Sequence, residues 1–157
     1  MLSLLPLEWN SPYVIDVCKL LLKYGGLIFS EIDSPINVFL NSLKNQDIKV
    51  IVALKEEVCI AFVALYDFKK ISDKTFSCYM YGASERKCAN ELDFLFPFIF
   101  KDLKKQGCKV VRFETRIYNM PMRILARRLN FRKVGILENA CFVRGEFVNN
   151  ILYEKTL

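Results

Sequence analysis

Lys109-Val110-Val111-Arg112-Phe113-Glu114-Thr115-Arg116-Ile117 runs through Tyr118 into Asn119-Met120-Pro121-Met122-Arg123-Ile124-Leu125-Ala126-Arg127-Arg128-Leu129-Asn130-Phe131. The first part alternates as a strand does. Val111, Phe113, Thr115 and Ile117 fall on one face, and Arg112, Glu114 and Arg116 on the other. The second part changes period. Met122, Leu125, Ala126 and Leu129 recur at helical spacing and make one apolar stripe, with Arg123 and Arg127 on a different face. Asn119 is a good N-cap, and Pro121 is tolerated in the first turn. Asn130 stands where the chain must leave the helix, a place that often needs a left-handed residue.

Downstream, residues 132–143 and 147–155 read as two strands around a turn at Arg144-Gly145-Glu146. Upstream, residues 2–7 read as a short first strand. Ser11-Pro12 opens a helix that runs to about Tyr24 and stops at Gly25-Gly26. Ser34-Pro35 opens a second, with Ile36, Phe39, Leu40 and Leu43 as its apolar face. Strands are expected at 49–54, 58–68 and 75–81, joined by a turn at 55–57 and a polar loop at 69–74. Residues 89–105 hold helical spacing through Leu92, Leu95, Phe96, Ile99 and Leu103 despite Pro97. The element order is β-α-α-β-β-β-α-β-α-β-β: an α+β domain with a mixed sheet, spanning residues 1–157 as one unit.

Hydrophobic residues make up 53% of the chain, which fits a folded domain with a real core. The net charge of +6 suggests an anionic partner: nucleic acid, an acidic protein, or the phosphates of a coenzyme. The six cysteines form no C-x-x-C pair, and several lie inside apolar runs, so they read as free core thiols in a reducing cytoplasm rather than as disulfides or a metal site. No histidine occurs, which removes the commonest base and metal ligand and rules out a histidine-dependent nucleophile. The apolar start is interrupted at Pro6, Glu8 and Trp9 and lacks the pattern of a signal peptide. The longest apolar run elsewhere, 94–100, is far shorter than the roughly 20 residues a bilayer requires, so no membrane partner is expected.

The C-terminal third resembles the GCN5-related N-acetyltransferases. In that family an Asn opens the last helix, Gly-Phe closes it, and a hairpin follows; here Asn119, then Asn130-Phe131, stand in those places. Val134-Gly135-Ile136-Leu137-Glu138, then Arg144-Gly145-Glu146-Phe147-Val148-Asn149, then Leu152-Tyr153, look most like the branch that acetylates protein N-termini and small amines, which often has Asp where this chain has Asn149.

The resemblance implies an acyltransferase fold, acetyl-CoA as co-substrate, no metal, an amine acceptor, and a monomer or homodimer. The family's pyrophosphate loop, Arg/Gln-x-x-Gly-x-Gly/Ala, falls on Ser84-Glu85-Arg86-Lys87-Cys88-Ala89, followed by Asn90. Ala89 fits; the leading basic residue and the middle glycine are replaced by Ser84 and Lys87. The thioester carbonyl would meet a backbone donor near Tyr79, Met80 and Tyr81, and Asn119 would contact the coenzyme. The family's proton-donating Tyr falls on Ala126, which leaves Tyr118 or water as the acid. Glu114 and Glu138 are the candidate bases. Two other readings stay open: an interaction module with a degenerate acyltransferase fold, motivated by the altered loop, and a nucleic-acid-binding module, motivated by the basic excess.

Overall fold

The computed structural model describes residues 1–30 and 34–157, apart from the side chains of residues 89, 91, 92 and 94. Its elements are β1 (Leu2–Pro6), α1 (Val14–Tyr24), α2 (Pro35–Lys44), β2 (Lys49–Lys55), β3 (Val58–Ser72), β4 (Thr75–Ser84), α3 (Ala89–Lys105), β5 (Cys108–Arg116), α4 (Met120–Arg128), β6 (Arg132–Val143) and β7 (Glu146–Thr156). A 3₁₀ turn follows α1 at Gly25–Leu27 and another precedes α3 at Arg86–Cys88. The strands form one seven-stranded sheet in the order β1-β2-β3-β4-β5-β7-β6. All neighbouring pairs are antiparallel except β4 and β5, which α3 joins as a parallel crossover.

Each face of the sheet is covered by one pair of helices. Leu20 and Leu21 of α1 and Phe39 and Leu43 of α2 pack on Val50, Val52, Phe62 and Ala64. On the other face Phe96, Ile99 and Leu103 of α3 and Ala126 and Leu129 of α4 pack on Leu65, Cys78, Met80, Val111 and Phe113. The stripes read in α3 and α4 are therefore the buried ones; the side chain of Leu92 lies outside the described residues.

Several boundaries move. Tyr13 takes the N-cap of α1, because Ser11 and Pro12 are spent on a turn in which the Val14 N–H donates to Ser11 O at 3.2 Å. The β3 strand runs on to Ser72, so most of the expected loop at 69–74 is strand, with Lys69 paired to Ser77 and Lys70 to Phe76. The β4 strand likewise runs past Tyr81 to Ser84, paired with Ala61. The β2–β3 turn is held by Glu56 and Glu57, both left-handed at φ 51° and 66°. That is the backbone a two-residue hairpin demands, adopted without glycine or asparagine. Two glycines are steric necessities. A Cβ on Gly82 would lie 2.3 Å from Phe62 O, and one on Gly107, at φ 97°, would lie 2.2 Å from Lys74 O.

Candidate active site

The β4 and β5 strands are paired only at their starts. Register runs from Phe76↔Cys108 to Tyr79↔Arg112 and ends there, while β4 continues to Ser84 and β5 to Arg116. Beyond that point β4 stays bonded to β3 on its outer side, and β5 to β7. The sheet thus opens along a wedge between two strands that are each held from behind.

Hydrogen bonds at the strand ends fix which amides face the wedge. The Phe76 N–H donates to Gly107 O on the β5 side at 3.1 Å, and the Glu85 N–H donates to Ile60 O on the β3 side at 2.9 Å. Successive amides of a strand point to opposite sides. The Met80 N–H therefore faces β5 at the last rung, beside Arg112, and Gly82 aims its N–H into the opening beyond it, while Tyr79 and Tyr81 aim theirs at β3. On β5 the Ile117 N–H donates to Asn149 O at 3.1 Å, which places the amides of Glu114 and Arg116 on the wedge side.

A cavity of about 360 Å³ borders the wedge on the α1–α2 face. Tyr66, Tyr81, Phe29 and Ile28 form much of its wall, with Asp47, Asp67 and Glu114 as its acids and no basic side chain. Met80 also borders it, although the Met80 side chain packs in the core on the opposite face. The Met80 contribution to the wall is therefore backbone, and the cavity reaches the opening itself. The rings of Tyr66 and Tyr81 stand 5.5 Å apart, and Phe29 meets Tyr81 edge-on at 5.2 Å. Burial first, and then the charge of Glu114, push the Tyr66 phenol up to about 12; burial and Tyr66 push Tyr81 higher still. Both phenols keep their protons at neutral pH.

Glu114 is open to solvent, and its Oε2 accepts from Asn150 Nδ2 at 3.2 Å. Asn150 is buried, and its Oδ1 accepts from Arg116 Nη1 at 3.0 Å. Arg116 is only 1% exposed. It also donates to Phe29 O at 2.6 Å and to Cys141 Sγ at 2.7 Å. Ser30 adds a second tie between the α1–α2 connection and β6: its hydroxyl donates to Phe142 O at 3.2 Å and accepts from the Phe142 N–H at 3.1 Å.

Of the predicted bases, Glu114 lines the cavity, whereas Glu138 is exposed on β6 and stands outside its wall. Tyr118 is half exposed in the turn between β5 and α4. Asn119 caps α4 by accepting from the Met122 N–H at 3.5 Å, and its Nδ2 donates to Thr115 Oγ1 at 3.0 Å. Ser84 ends β4, Arg86–Cys88 form the short 3₁₀ turn, and Ala89 and Asn90 begin α3; the Ala89 side chain lies outside the described residues. Cys88 is the N-cap of α3 and makes no side-chain cap bond, so among the described residues the first-turn N–H groups have no side-chain acceptor there. Arg86 and Lys87 are exposed beside them. Glu85 points away, to Lys23 Nζ at 2.7 Å.

Several wall residues escape a reading of the sequence. Tyr66 and Asp67 close an apolar run, and their placement follows only from the full length of β3. Asn150 stands beside Asn149, the residue that family resemblance singles out, and Asn149 Oδ1 accepts from the Asn139 N–H in the β6 irregularity at 3.0 Å. The arginines of β5, α4 and β6 are largely engaged in structure: Arg112 and Arg132 hold Glu154, Arg128 holds Asp93 at 2.9 Å, and Arg123 donates to Ile117 O at 2.9 Å. Among the described residues no group of His, Cys, Asp or Glu could hold a metal ion, and no helix is long and apolar enough to cross a membrane. All six cysteines are free thiols.

No protein-family model matches the chain, and no curated protein matches it. Solved structures do. An N-acetyltransferase from Staphylococcus aureus is 14% identical, with 99% of this chain and 97% of that one covered at a TM-score of 0.77. An acetyltransferase of the GNAT family from Streptococcus pneumoniae is 13% identical, with both chains fully covered at 0.74. NAA60 of Arabidopsis thaliana, solved in complex with acetyl-CoA, is 18% identical, with 100% and 99% covered at 0.73. The chain has the fold of the GCN5-related acyl-CoA N-acyltransferases.

Proposed function

We propose that this protein is an N-acetyltransferase that moves an acetyl group from acetyl-CoA to a primary amine, borne by a protein N-terminus, a lysine or a small molecule. The observation that carries the reading is the wedge between β4 and β5, with the Gly82 amide turned into it and an acid-lined cavity at its mouth.

Acetyl-CoA as co-substrate supplies the thioester. The residues of the loop fit its phosphates in part: the uncapped start of α3 offers N–H donors, and Arg86 and Lys87 offer positive charge in place of the family's glycine. Ser84, Cys88, Ala89 and Asn90 frame that site, Tyr79 and Tyr81 flank Met80 on the strand, and Asn119 contacts the coenzyme from the start of α4. The amide donor at Gly82, just past Met80, meets the carbonyl oxygen where negative charge develops, fixed in place before reaction. The acceptor arrives as an ammonium ion, drawn by Asp47, Asp67 and Glu114. Glu114 takes one ammonium proton, the freed amine nitrogen bonds to the carbonyl carbon and sheds its second proton to water, the carbon–sulfur bond breaks, and the thiolate takes a proton from Tyr118, which regains one from solvent, or directly from water.

The test is calorimetric titration with acetyl-CoA, followed by release of free thiol in the presence of amines. Saturable binding with turnover is expected. At a hundred times the dissociation constant, ligand should stabilise the fold by about 2.7 kcal/mol. No thermal shift at millimolar acetyl-CoA would sink the proposal. In Glu114→Gln, turnover should fall ~10²- to 10⁴-fold with acetyl-CoA affinity unchanged.

A further inference from the structure

Arg116 is the anomaly of the site. It sits on the polar face of β5, yet it is buried with no carboxylate bonded to it among the described residues: its acceptors there are a backbone carbonyl, a carboxamide and a thiol. Its Nε finds no partner among the described residues. A charge in that setting is expensive unless its donors are well met. What the guanidinium does there is dictate polarity. It can only donate, so the Asn150 carboxamide must turn its oxygen toward Arg116. The NH₂ group of Asn150 is then turned away from the guanidinium, and it donates to Glu114 Oε2 at 3.2 Å and to Cys141 Sγ at 3.4 Å. Were the amide reversed, two donors would face each other at Arg116, and an oxygen would face the Glu114 carboxylate.

We propose that Arg116 and Asn150 are positioning residues: the buried guanidinium fixes the orientation of the Asn150 carboxamide, whose NH₂ group holds one oxygen of Glu114 and presents the other to the cavity. The same guanidinium ties Phe29 to β5, so one buried cation sets both the base and the cavity wall opposite it. This role rests on the transferase reading for its purpose, but the hydrogen-bond array stands apart from it. The other titratable groups on the cavity wall are Asp47 after α2, Tyr66 and Asp67 on β3, Tyr81 on β4 and Cys141 on β6. Among the bonds described, Asn150 alone donates to Glu114.

The Asn150→Asp variant separates orientation from bulk. The carboxylate it introduces still accepts from Arg116 but has no proton for Glu114 and adds a like charge beside it. The Glu114 titration midpoint should rise by about one pH unit or more, read by carboxyl-carbon NMR with Glu114→Gln as the assignment control. The acidic limb of the kcat/KM profile should rise by the same amount, with KM for acetyl-CoA unmoved. Wild-type protein provides a second measurement that needs no variant: the side-chain amide protons of Asn150 should titrate with the Glu114 midpoint. Amide resonances that ignore Glu114, or a folded Asn150→Asp protein with an unmoved midpoint, would overturn the proposal. A shifted midpoint in a protein that releases no thiol with any amine would uphold the array and remove the transferase reading instead. Turnover with an unmoved Glu114 midpoint would do the reverse.

Discussion

Asn130 shows how far one position can be read. The apolar stripe ends at Leu129, so the next residue has to turn the chain, and Asn130 does so at φ 57°. Its own N–H donates to Arg127 O at 3.0 Å, and the Phe131 N–H reaches back to Ala126 O at 2.8 Å, the paired bonds of a Schellman ending. Alanine there keeps the bonds but meets the steric cost of the left-handed region, so Asn130→Ala should lose about 1 kcal/mol in urea unfolding, and Asn130→Gly should lose less or gain. Arg116 was not legible in the same way. Alternation assigns it to a face, and that assignment is right. It does not say that the face is roofed at that point. The roof comes from Phe29 and from Cys141 and Asn150, remote in the chain and brought together only by the sheet order.

The order and type of the elements were legible because most segments carry one strong period. Their ends were not, because ends are decided by neighbours. The β4 strand extends to Ser84 because β3 offers it partners through Ala61, and no local feature marks that. Gly82 is what that pairing requires: its missing side chain lets β4 lie against the Phe62 carbonyl. Gly82→Ala must push backbone apart in the middle of the sheet, so a loss of about 1–3 kcal/mol is expected in urea unfolding, with reduced acetyl-CoA affinity if the wedge widens. The hairpin end of the sheet depends on charge. Burial opposes ionisation of Glu154, but hydrogen bonds from Arg132 on β6 and Arg112 on β5 outweigh it, and the carboxyl titrates below its ordinary 4.5. A depressed folded-state value means this contribution is complete above the unfolded-state value and is lost as pH falls through the folded one. Glu154→Gln should therefore be less stable at neutral pH and show a flatter decline in stability below about pH 4.5.

At the scale of the whole molecule the sheet is two half-sheets joined by the short parallel stretch from Phe76 to Arg112 and held on one face by α3 and α4. Family resemblance pointed to a backbone donor near Tyr79, Met80 and Tyr81. It could not supply the cavity, whose walls come from α2 and the connections on either side of it and from β3, β4, β5, β6 and β7, scattered through most of the chain. Such an architecture makes a ligand in the wedge a bridge between the halves, and hydrogen exchange can see it. Amides of Tyr79 and Tyr81 are tied to β3 and that of Met80 closes the last rung to β5, whereas that of Gly82 faces an opening with no strand opposite it. In the free protein Gly82 should exchange faster than its immediate neighbours, by the margin that separates local exposure from sub-global opening. Saturating acetyl-CoA should slow Gly82 selectively, because a carbonyl and the amides of a pantetheine arm would then occupy the missing edge. The neighbours bonded to β3 should change less. Uniform slowing across both half-sheets would mean general stabilisation from a ligand seated elsewhere, and unchanged exchange at Gly82 under saturation would mean that nothing threads the wedge.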